Sequence, residues 1–114
     1  TSPLDAVVIE VADGLFQSET AQLLASPYFN GNVDTLIFSS GDAMGAHAGA
    51  QWLQSHRLPV AALCGTLTRS PLARREAHAA TGLPVLCLQD LSSPASARQL
   101  FDTAARQRNP EVAA

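Results

Sequence analysis

Residues 59–88 read PVAALCGTLTRSPLARREAHAATGLPVLCL, and this stretch decides the predicted fold because it holds a complete strand–helix–strand unit. PVAALCGT (59–66) is an apolar run of strand length, and LPVLCLQD (83–90) is another. Between them Ser70 is a good N-cap, Pro71 suits the first helical position, and Gly82 suits the residue that ends a helix. Two strands joined through one helix run parallel, with a right-handed crossover.

The same alternation of strand and helix extends over the rest of the chain. DAVVIEVA (5–12) and VDTLIFSS (33–40) are continuous in hydrophobicity, which is typical of strands covered by helices on both faces. Three more helices are predicted: residues 18–29 starting at Ser18, residues 41–57 with Asp42 as N-cap, and a last one from residue 92 to just before Pro110. We therefore predict an α/β fold, a three-layer α-β-α domain with a mainly parallel, Rossmann-like sheet over residues 1–114.

Composition places the chain among ordinary globular proteins. Its 114 residues are 46% hydrophobic and 15% charged, which is enough for one core. No apolar run approaches the roughly 20 residues that span a bilayer, so we expect no membrane contact. Cys64 and Cys87 lie in apolar runs, and we expect both to be reduced thiols in a cytoplasmic protein. The sequence begins at Thr1 rather than at Met, so we expect a fragment of a longer protein.

Charge is distributed unevenly along the sequence. Residues 1–42 hold six acidic residues and no basic one, whereas residues 43–114 hold four acidic residues and seven arginines, for a net charge of −3. The chain has no lysine, which excludes a Schiff base, a pyridoxal-phosphate site and the lysine of a complete phosphate-binding loop within these residues. The acidic balance and the lack of a basic stripe argue against nucleic acid as a partner.

Polar side chains follow each predicted strand, where open parallel sheets bind their ligands. These residues are Glu10, Asp13 and Gln17; Ser39, Ser40 and Asp42; Thr66, Thr68 and Arg69; Gln89 and Asp90. Glu10 is the most informative, because it interrupts an apolar run and a buried carboxylate requires a partner. That partner is a metal ion, the start of a helix or Arg69, and the sequence leaves these readings open. Asp13 with Gly14 also fits a simple turn.

The first strand resembles a family. DAVVIEVADGL looks like the strand ending in Asp-x-x-x-x-Glu-Gly-Ala-Gly-Gly in P-loop NTPases of the dethiobiotin-synthetase and cobyrinic-acid-amidase type. Asp5 and Glu10 match in spacing, whereas Val11 and Asp13 stand where the family has glycine. VDTLIFSS resembles the next family strand, and TGLPVLCL resembles its late glycine-leucine-proline-valine strand. The chain contains no Gly-x-x-x-x-Gly-Lys-Ser/Thr loop.

The resemblance implies a nucleotide-binding half-domain that binds ATP with Mg²⁺. Glu10 and Asp13 would position the magnesium ion, and Gln17, Thr66 and Arg69 would line the neighbouring cleft. An upstream segment of the same polypeptide would then supply the phosphate-binding loop. The ligand is accordingly a nucleotide or another small molecule. Whether the chain is an enzyme, and whether it forms a homodimer, stays open.

Two alternatives belong to other classes of protein. CGTLTRSP resembles the phosphate loop of low-molecular-weight tyrosine phosphatases, Cys-x-x-x-x-x-Arg-Ser-Pro, with Asp90 as a general acid. Only four residues separate Cys64 from Arg69, where that family has five, so we expect Cys64 to be an inert, packed residue. The non-enzyme alternative is a binding or regulatory module that docks a partner through its acidic first edge.

Overall fold

The computed structural model describes residues 5–108 as a mixed α/β protein with a two-stranded parallel sheet. Its elements are α1 (Ser18–Ala25), α2 (Pro27–Gly31), β1 (Leu36–Ser39), α3 (Ala43–Ser55), β2 (Val60–Cys64), a 3₁₀ turn (Thr66–Arg69), α4 (Pro71–Thr81), α5 (Leu88–Leu91) and α6 (Pro94–Arg108). Within residues 5–108, no helix combines the length and the apolar character needed to cross a bilayer. The predicted end of the last helix before Pro110 lies outside the described residues.

The sheet is built from the second and third predicted strands, and its register confirms that they are parallel. Leu36 lies opposite Val60 and Ser39 lies opposite Cys64. On its other side β2 makes a single parallel bridge, from Leu63 to Val85. There the Leu63 N–H donates to the Pro84 carbonyl and the Leu86 N–H donates to the Leu63 carbonyl, each at 2.8 Å. The fourth predicted strand is thus reduced to this bridge, because the chain turns into α5 at Leu88.

The core lies between the sheet and α3. Ala46 and Ala50 of α3 pack with Leu63 of β2, Leu67 of the 3₁₀ turn and Ala77 of α4. One turn further along α3, Leu53 packs with a second buried group, which contains Leu24, Leu58 and Val60. A Cβ at Gly49 would overlap the ring of Phe38, so the absence of a side chain there lets α3 lie directly on β1. Small residues on one face of α3 therefore determine how closely helix and sheet approach.

Helix ends follow the predicted local signals. The Asp42 carboxylate accepts from the Gly45 N–H at 2.6 Å, and the Ser70 hydroxyl accepts from the Ala73 N–H at 3.1 Å. Gly82 ends α4 in the left-handed conformation, with φ of 72°. The helix predicted over residues 18–29 is instead two helices, because Ser26 begins a new one before Pro27, whose ring nitrogen has no hydrogen to donate.

The predicted first strand is wrong for the described structure. Residues 6–12 have no regular secondary structure, and Val7, Val8 and Ile9 are 70%, 92% and 69% exposed. A strand is stable only when a neighbour satisfies its backbone N–H and C=O groups. Both sides of β2 have such neighbours, whereas residues 6–12 pair with no strand among the described residues. Glu10 is consequently exposed, not the buried carboxylate that the sequence suggested.

Candidate functional site

An open cleft of about 650 Å³ lies at the carboxyl ends of the strands. Three chain segments line it: residues 39–41 at the end of β1, the end of β2 with its 3₁₀ turn, and residues 86–89 with Leu91. The three segments meet because β1, β2 and the Val85 bridge lie side by side and run in the same direction. This is the place where parallel α/β sheets bind ligands.

The conformation of Gly65 allows the loops after β1 and β2 to lie in close contact beside the cleft. Its φ of 103° and ψ of −169° belong to a region that is nearly restricted to glycine. A Cβ here would lie 2.5 Å from the Ser40 carbonyl oxygen and 2.7 Å from the Ser40 nitrogen. Two hydrogen bonds join the same loops: the Ser40 N–H donates to the Cys64 carbonyl, and the Leu67 N–H donates to the Ser40 carbonyl. The ends of β1 and β2 therefore form one continuous backbone surface.

Thr66 and Arg69 supply exposed polar groups to this surface. Both side chains belong to the 3₁₀ turn and both line the cleft, as the sequence predicted. Thr68 differs from them because its hydroxyl donates to the Gly65 carbonyl at 2.8 Å and so stabilises the turn itself. Within residues 5–108 the Arg69 guanidinium makes no ion pair, and the ion pair that does form there joins Arg74 to Asp90. Arg69 is therefore free to meet an anion.

Cys64 lies half-buried in the wall of the cleft. Burial raises the pKa of its thiol, and a hydrogen bond with the Ser39 side chain opposes that shift to a smaller extent. The group is therefore a neutral thiol near pH 7, and a catalytic cysteine needs the reverse shift. Cys87 also lines the cleft, and its thiol donates to the Gln89 side-chain oxygen at 3.3 Å. Both cysteines are free thiols in the structure, which agrees with the predicted reduced state.

Asp90 has a structural role that conflicts with the general-acid hypothesis. Its carboxylate accepts from the Cys87 N–H at 2.9 Å and lies 3.5 Å from the Arg74 guanidinium. The hydrogen bonds from Cys87, together with the positive charge of Arg74, lower the pKa of Asp90. A carboxyl group that is ionised at neutral pH has no proton to give to a leaving group. Arg74 also donates to the Val85 carbonyl at 3.0 Å. Through these two contacts Arg74 links α4 to α5 and to the residue that bridges to β2.

Glu10, Asp13 and Gln17 do not line the cleft. All three are exposed, and Asp13 has a left-handed backbone with φ of 71°. The Gln17 side chain caps α1 by accepting from the Thr20 N–H at 2.9 Å. The Thr20 hydroxyl then donates to the Ala12 carbonyl at 3.3 Å, which ties the end of the N-terminal segment to α1. The suggested ion pair between Glu10 and Arg69 is not formed in the structure.

The structure gives these residues no obvious metal centre. In the stretch from residue 5 to residue 108, no three His, Cys, Asp or Glu side chains are grouped closely enough to hold a metal ion. Mg²⁺ is usually held by one or two carboxylates together with waters and substrate phosphates, so Glu10 and Asp13 would need the phosphates of a bound nucleotide to complete a site. Magnesium binding by Glu10 and Asp13 therefore stays a prediction.

The leucines of residues 86–91 are the part of the site that sequence reasoning missed. Leu86, Leu88 and Leu91 line the cleft together with the 3₁₀ turn, and Leu88 is largely exposed. Leu86 and Leu88 belong to the fourth apolar run and Leu91 directly follows it, but the sequence pattern predicts a strand that continues to Asp90. Comparison with protein families, with characterised proteins and with solved structures finds no match to this chain.

Proposed function

We propose that this protein binds a nucleotide or another phosphorylated small molecule in the cleft at the carboxyl ends of β1 and β2. The observation that carries the proposal is an arginine without an ion pair, Arg69, beside a cleft at the strand ends. A guanidinium group makes two parallel hydrogen bonds to a phosphate or a carboxylate, and it carries the positive charge that a phosphorylated ligand needs. Thr66, exposed on the same turn, adds a hydroxyl group.

The apolar residues of the cleft suit the remainder of such a ligand. Leu86, Leu88 and Leu91 line the same cleft as the polar turn. Small-molecule sites combine apolar walls with a few polar groups that orient the ligand, and this cleft has both. Its width leaves the ligand partly in contact with water, so we expect micromolar rather than nanomolar affinity.

The resemblance to P-loop NTPases extends the proposal to a larger arrangement that combines this chain with an upstream segment. In that arrangement the chain is one half of an ATP-binding domain, and an upstream segment adds the phosphate-binding loop. Residues 6–12 would then pair as a further strand and extend the two-stranded sheet into a three-layer, Rossmann-like fold. The exposed valines and isoleucine of this segment support this, because such residues favour buried strands. The two free thiols suit a reducing compartment, so we place the protein in the cytoplasm.

A titration of the protein with ATP, AMP and inorganic phosphate tests the proposal. Isothermal calorimetry gives the affinities, and backbone amide chemical shifts identify the residues that respond. We expect shifts at Gly65 and Thr66, and an affinity about tenfold weaker in Arg69→Gln, because a charge-assisted hydrogen bond is lost.

Arg75→Gln is the matched control for this titration. Arg75 is exposed on α4 and does not line the cleft, so this variant should bind like the unmodified protein. Equal loss of affinity in both variants would indicate a general charge effect and contradict the proposal. Absence of binding for all three ligands at millimolar concentration would also contradict it.

The phosphatase alternative is weaker on the structural observations. Its nucleophile would be Cys64, whose pKa is raised by burial, and its general acid would be Asp90, whose pKa is lowered. Both shifts oppose the required chemistry. Turnover of an aryl phosphate that disappears in Cys64→Ser would reverse this order of preference.

A further inference from the structure

Leu88 is a large apolar side chain that stays exposed inside the cleft. It is 78% exposed, and it lines the cleft together with the partly buried Leu86 and Leu91. A single exposed leucine on an open surface is ordinary, whereas apolar side chains grouped in a concave site are typical of ligand binding. The three leucines therefore indicate that the ligand of this cleft has an apolar part.

Polar contacts hold the start of α5, where Leu88 lies. The Cys87 N–H donates to the Asp90 carboxylate at 2.9 Å, and that carboxylate lies 3.5 Å from the Arg74 guanidinium of α4. These contacts fix α5 without burying the Leu88 side chain. An apolar surface that is already in place loses little conformational freedom when a ligand covers it.

Most polar side chains that line the cleft already have a hydrogen-bond partner in the protein. The Ser40 and Thr68 hydroxyl groups donate to backbone carbonyls at 3.0 and 2.8 Å. The Gln89 and Ser39 side chains are each hydrogen-bonded to a cysteine thiol. These four residues therefore have less capacity left for a ligand than their number suggests.

The polar side chains that remain suit one phosphate group. Within residues 5–108, the side chains of Thr66 and Arg69 make no hydrogen bond or ion pair, and both belong to the 3₁₀ turn. A ribose and a base carry many further donors and acceptors, which cost free energy when they leave water without partners. A hydrocarbon chain has no such groups and gains free energy on contact with leucines.

Building on the proposed phosphate site, we infer that the ligand is a soluble phosphate monoester of an alkyl chain. Its phosphate binds Arg69 and Thr66, and its chain lies on Leu86, Leu88 and Leu91. The inference selects one of the two ligand classes in the proposed function, because a nucleotide has no such chain. Each methylene group that contacts the leucines should raise the affinity about twofold to fourfold.

A calorimetric titration with inorganic phosphate, AMP, and ethyl, butyl and hexyl phosphate tests this inference. We expect the affinity to rise along the alkyl series, so that hexyl phosphate binds at least about tenfold more tightly than ethyl phosphate. Hexyl phosphate should also bind more tightly than AMP. Hexanol, which has the chain without the phosphate, should bind much more weakly than hexyl phosphate.

Three variants separate the two parts of the site. Leu88→Ser should weaken hexyl phosphate binding about tenfold and affect inorganic phosphate much less, because it removes contact with the chain alone. Arg69→Gln should weaken all phosphate ligands by a similar factor and preserve the gain per methylene group. Leu23→Ser is the matched control, because Leu23 is exposed on α1 and does not line the cleft. Circular dichroism should show each variant folded, since the altered side chains are on the surface.

The source of the alkyl phosphate is either a soluble ester or a phospholipid. Sedimentation with phosphatidylcholine vesicles, with and without phosphatidic acid, distinguishes them. We expect no sedimentation with either vesicle, because the leucines lie in a cleft and a lipid chain is already held in the bilayer. Sedimentation with the phosphatidic acid vesicles alone would overturn the assignment to a soluble ester.

Failure of this inference differs from failure of the proposed function. Phosphate ligands that bind with an affinity independent of chain length, or AMP that binds more tightly than hexyl phosphate, would overturn the inference and leave the phosphate site in place. Equal binding of hexanol and hexyl phosphate, or no binding of any phosphate ligand, would contradict the phosphate site itself and the inference with it.

Discussion

Residues 6–12 and β2 share an apolar sequence pattern but differ in structure: β2 is a buried strand, whereas residues 6–12 are exposed and irregular. AVVIEVA is the better strand former of the two, because four of its seven residues are β-branched, whereas VAALC has one β-branched residue in five. Nevertheless β2 is the strand, and its residues from Val60 to Leu63 are between 0% and 7% exposed. The Val8 side chain is 92% exposed. Intrinsic strand preference is therefore less decisive here than the presence of neighbours.

Backbone hydrogen bonds explain the difference. β2 pairs with β1 along one side and meets Val85 on the other, so its N–H and C=O groups are satisfied while α3 covers its side chains. Ala61 and Ala62 point to opposite faces of the strand and both are buried, so β2 is covered on each face. Residues 6–12 have the side chains of a strand without the neighbouring strands, and their backbone stays available to water or to a partner.

The largest expected effect comes from truncating one residue in each region. Leu63→Ala should destabilise the protein by about 2–5 kcal/mol, because Leu63 is fully buried and its loss leaves a cavity. Val8→Ala should change the free energy of unfolding by less than about 0.5 kcal/mol, because the side chain already contacts water. Urea denaturation of the two variants measures both values.

Similar losses in the free energy of unfolding for Leu63→Ala and Val8→Ala would contradict this difference between the two regions. A large loss for Val8→Ala in dilute solution would mean that residues 6–12 are buried in the folded monomer, and it would restore the predicted first strand.

A second effect concerns the backbone at the end of β2. Gly65→Ala should destabilise the protein by about 3 kcal/mol, because its φ and ψ are nearly restricted to glycine and the new Cβ would strike the Ser40 backbone. Gly82→Ala is the matched control. Gly82 also has positive φ but faces open space, so the loss should be about 1 kcal/mol. Thermal melts followed by circular dichroism compare the two.

Equal losses of stability at the two glycines would show that only φ determines the effect. They would also show that the loops after β1 and β2 are not in close contact. In the expected case, Gly65→Ala also weakens ligand binding in the cleft, whereas Gly82→Ala does not.

The smallest effect is a pH dependence from Cys64. Its pKa is raised above the ordinary value of 9.0 by burial, so the folded protein holds the thiol proton more tightly than the unfolded chain does. The stability from this group is therefore fully present below pH 9.0 and declines as the pH rises above that value. Cys64→Ser should lose less stability than the unmodified protein between neutral and alkaline pH, as measured by urea denaturation. A parallel decline in both proteins would contradict the assigned cause.

Much of the secondary structure was predictable because its signals are local. Asp42, Ser70 and Gly82 lie at helix ends where their own side chains or backbone conformations satisfy groups within a few residues. Helix α1 shows the limit of such reasoning. Its cap is Gln17 rather than Ser18, a difference of one residue that depends on which side chain reaches the Thr20 N–H.

Predicted site residues line the cleft where their position depended on strand ends that pair. Thr66 and Arg69 follow β2, which is a real strand, and both line the cleft. Glu10 and Asp13 follow a run that does not pair, so they lie outside it. The side-chain chemistry was visible in each case, but its location depended on hydrogen bonds to residues distant in the sequence.

The sequence alone determined the helix boundaries near Asp42 and Ser70, the parallel direction of β1 and β2, and the polar character of the turn at residues 66–69, since each follows from neighbouring residues or from one crossover. Tertiary structure alone decided that residues 6–12 stay exposed, that the Val85 region makes only a bridge, and that leucines 86, 88 and 91 line the same cleft as Arg69. The physical reason is that a strand and a cleft both require backbone partners far away in the chain, and hydrophobic pattern specifies the need for such partners without specifying their position.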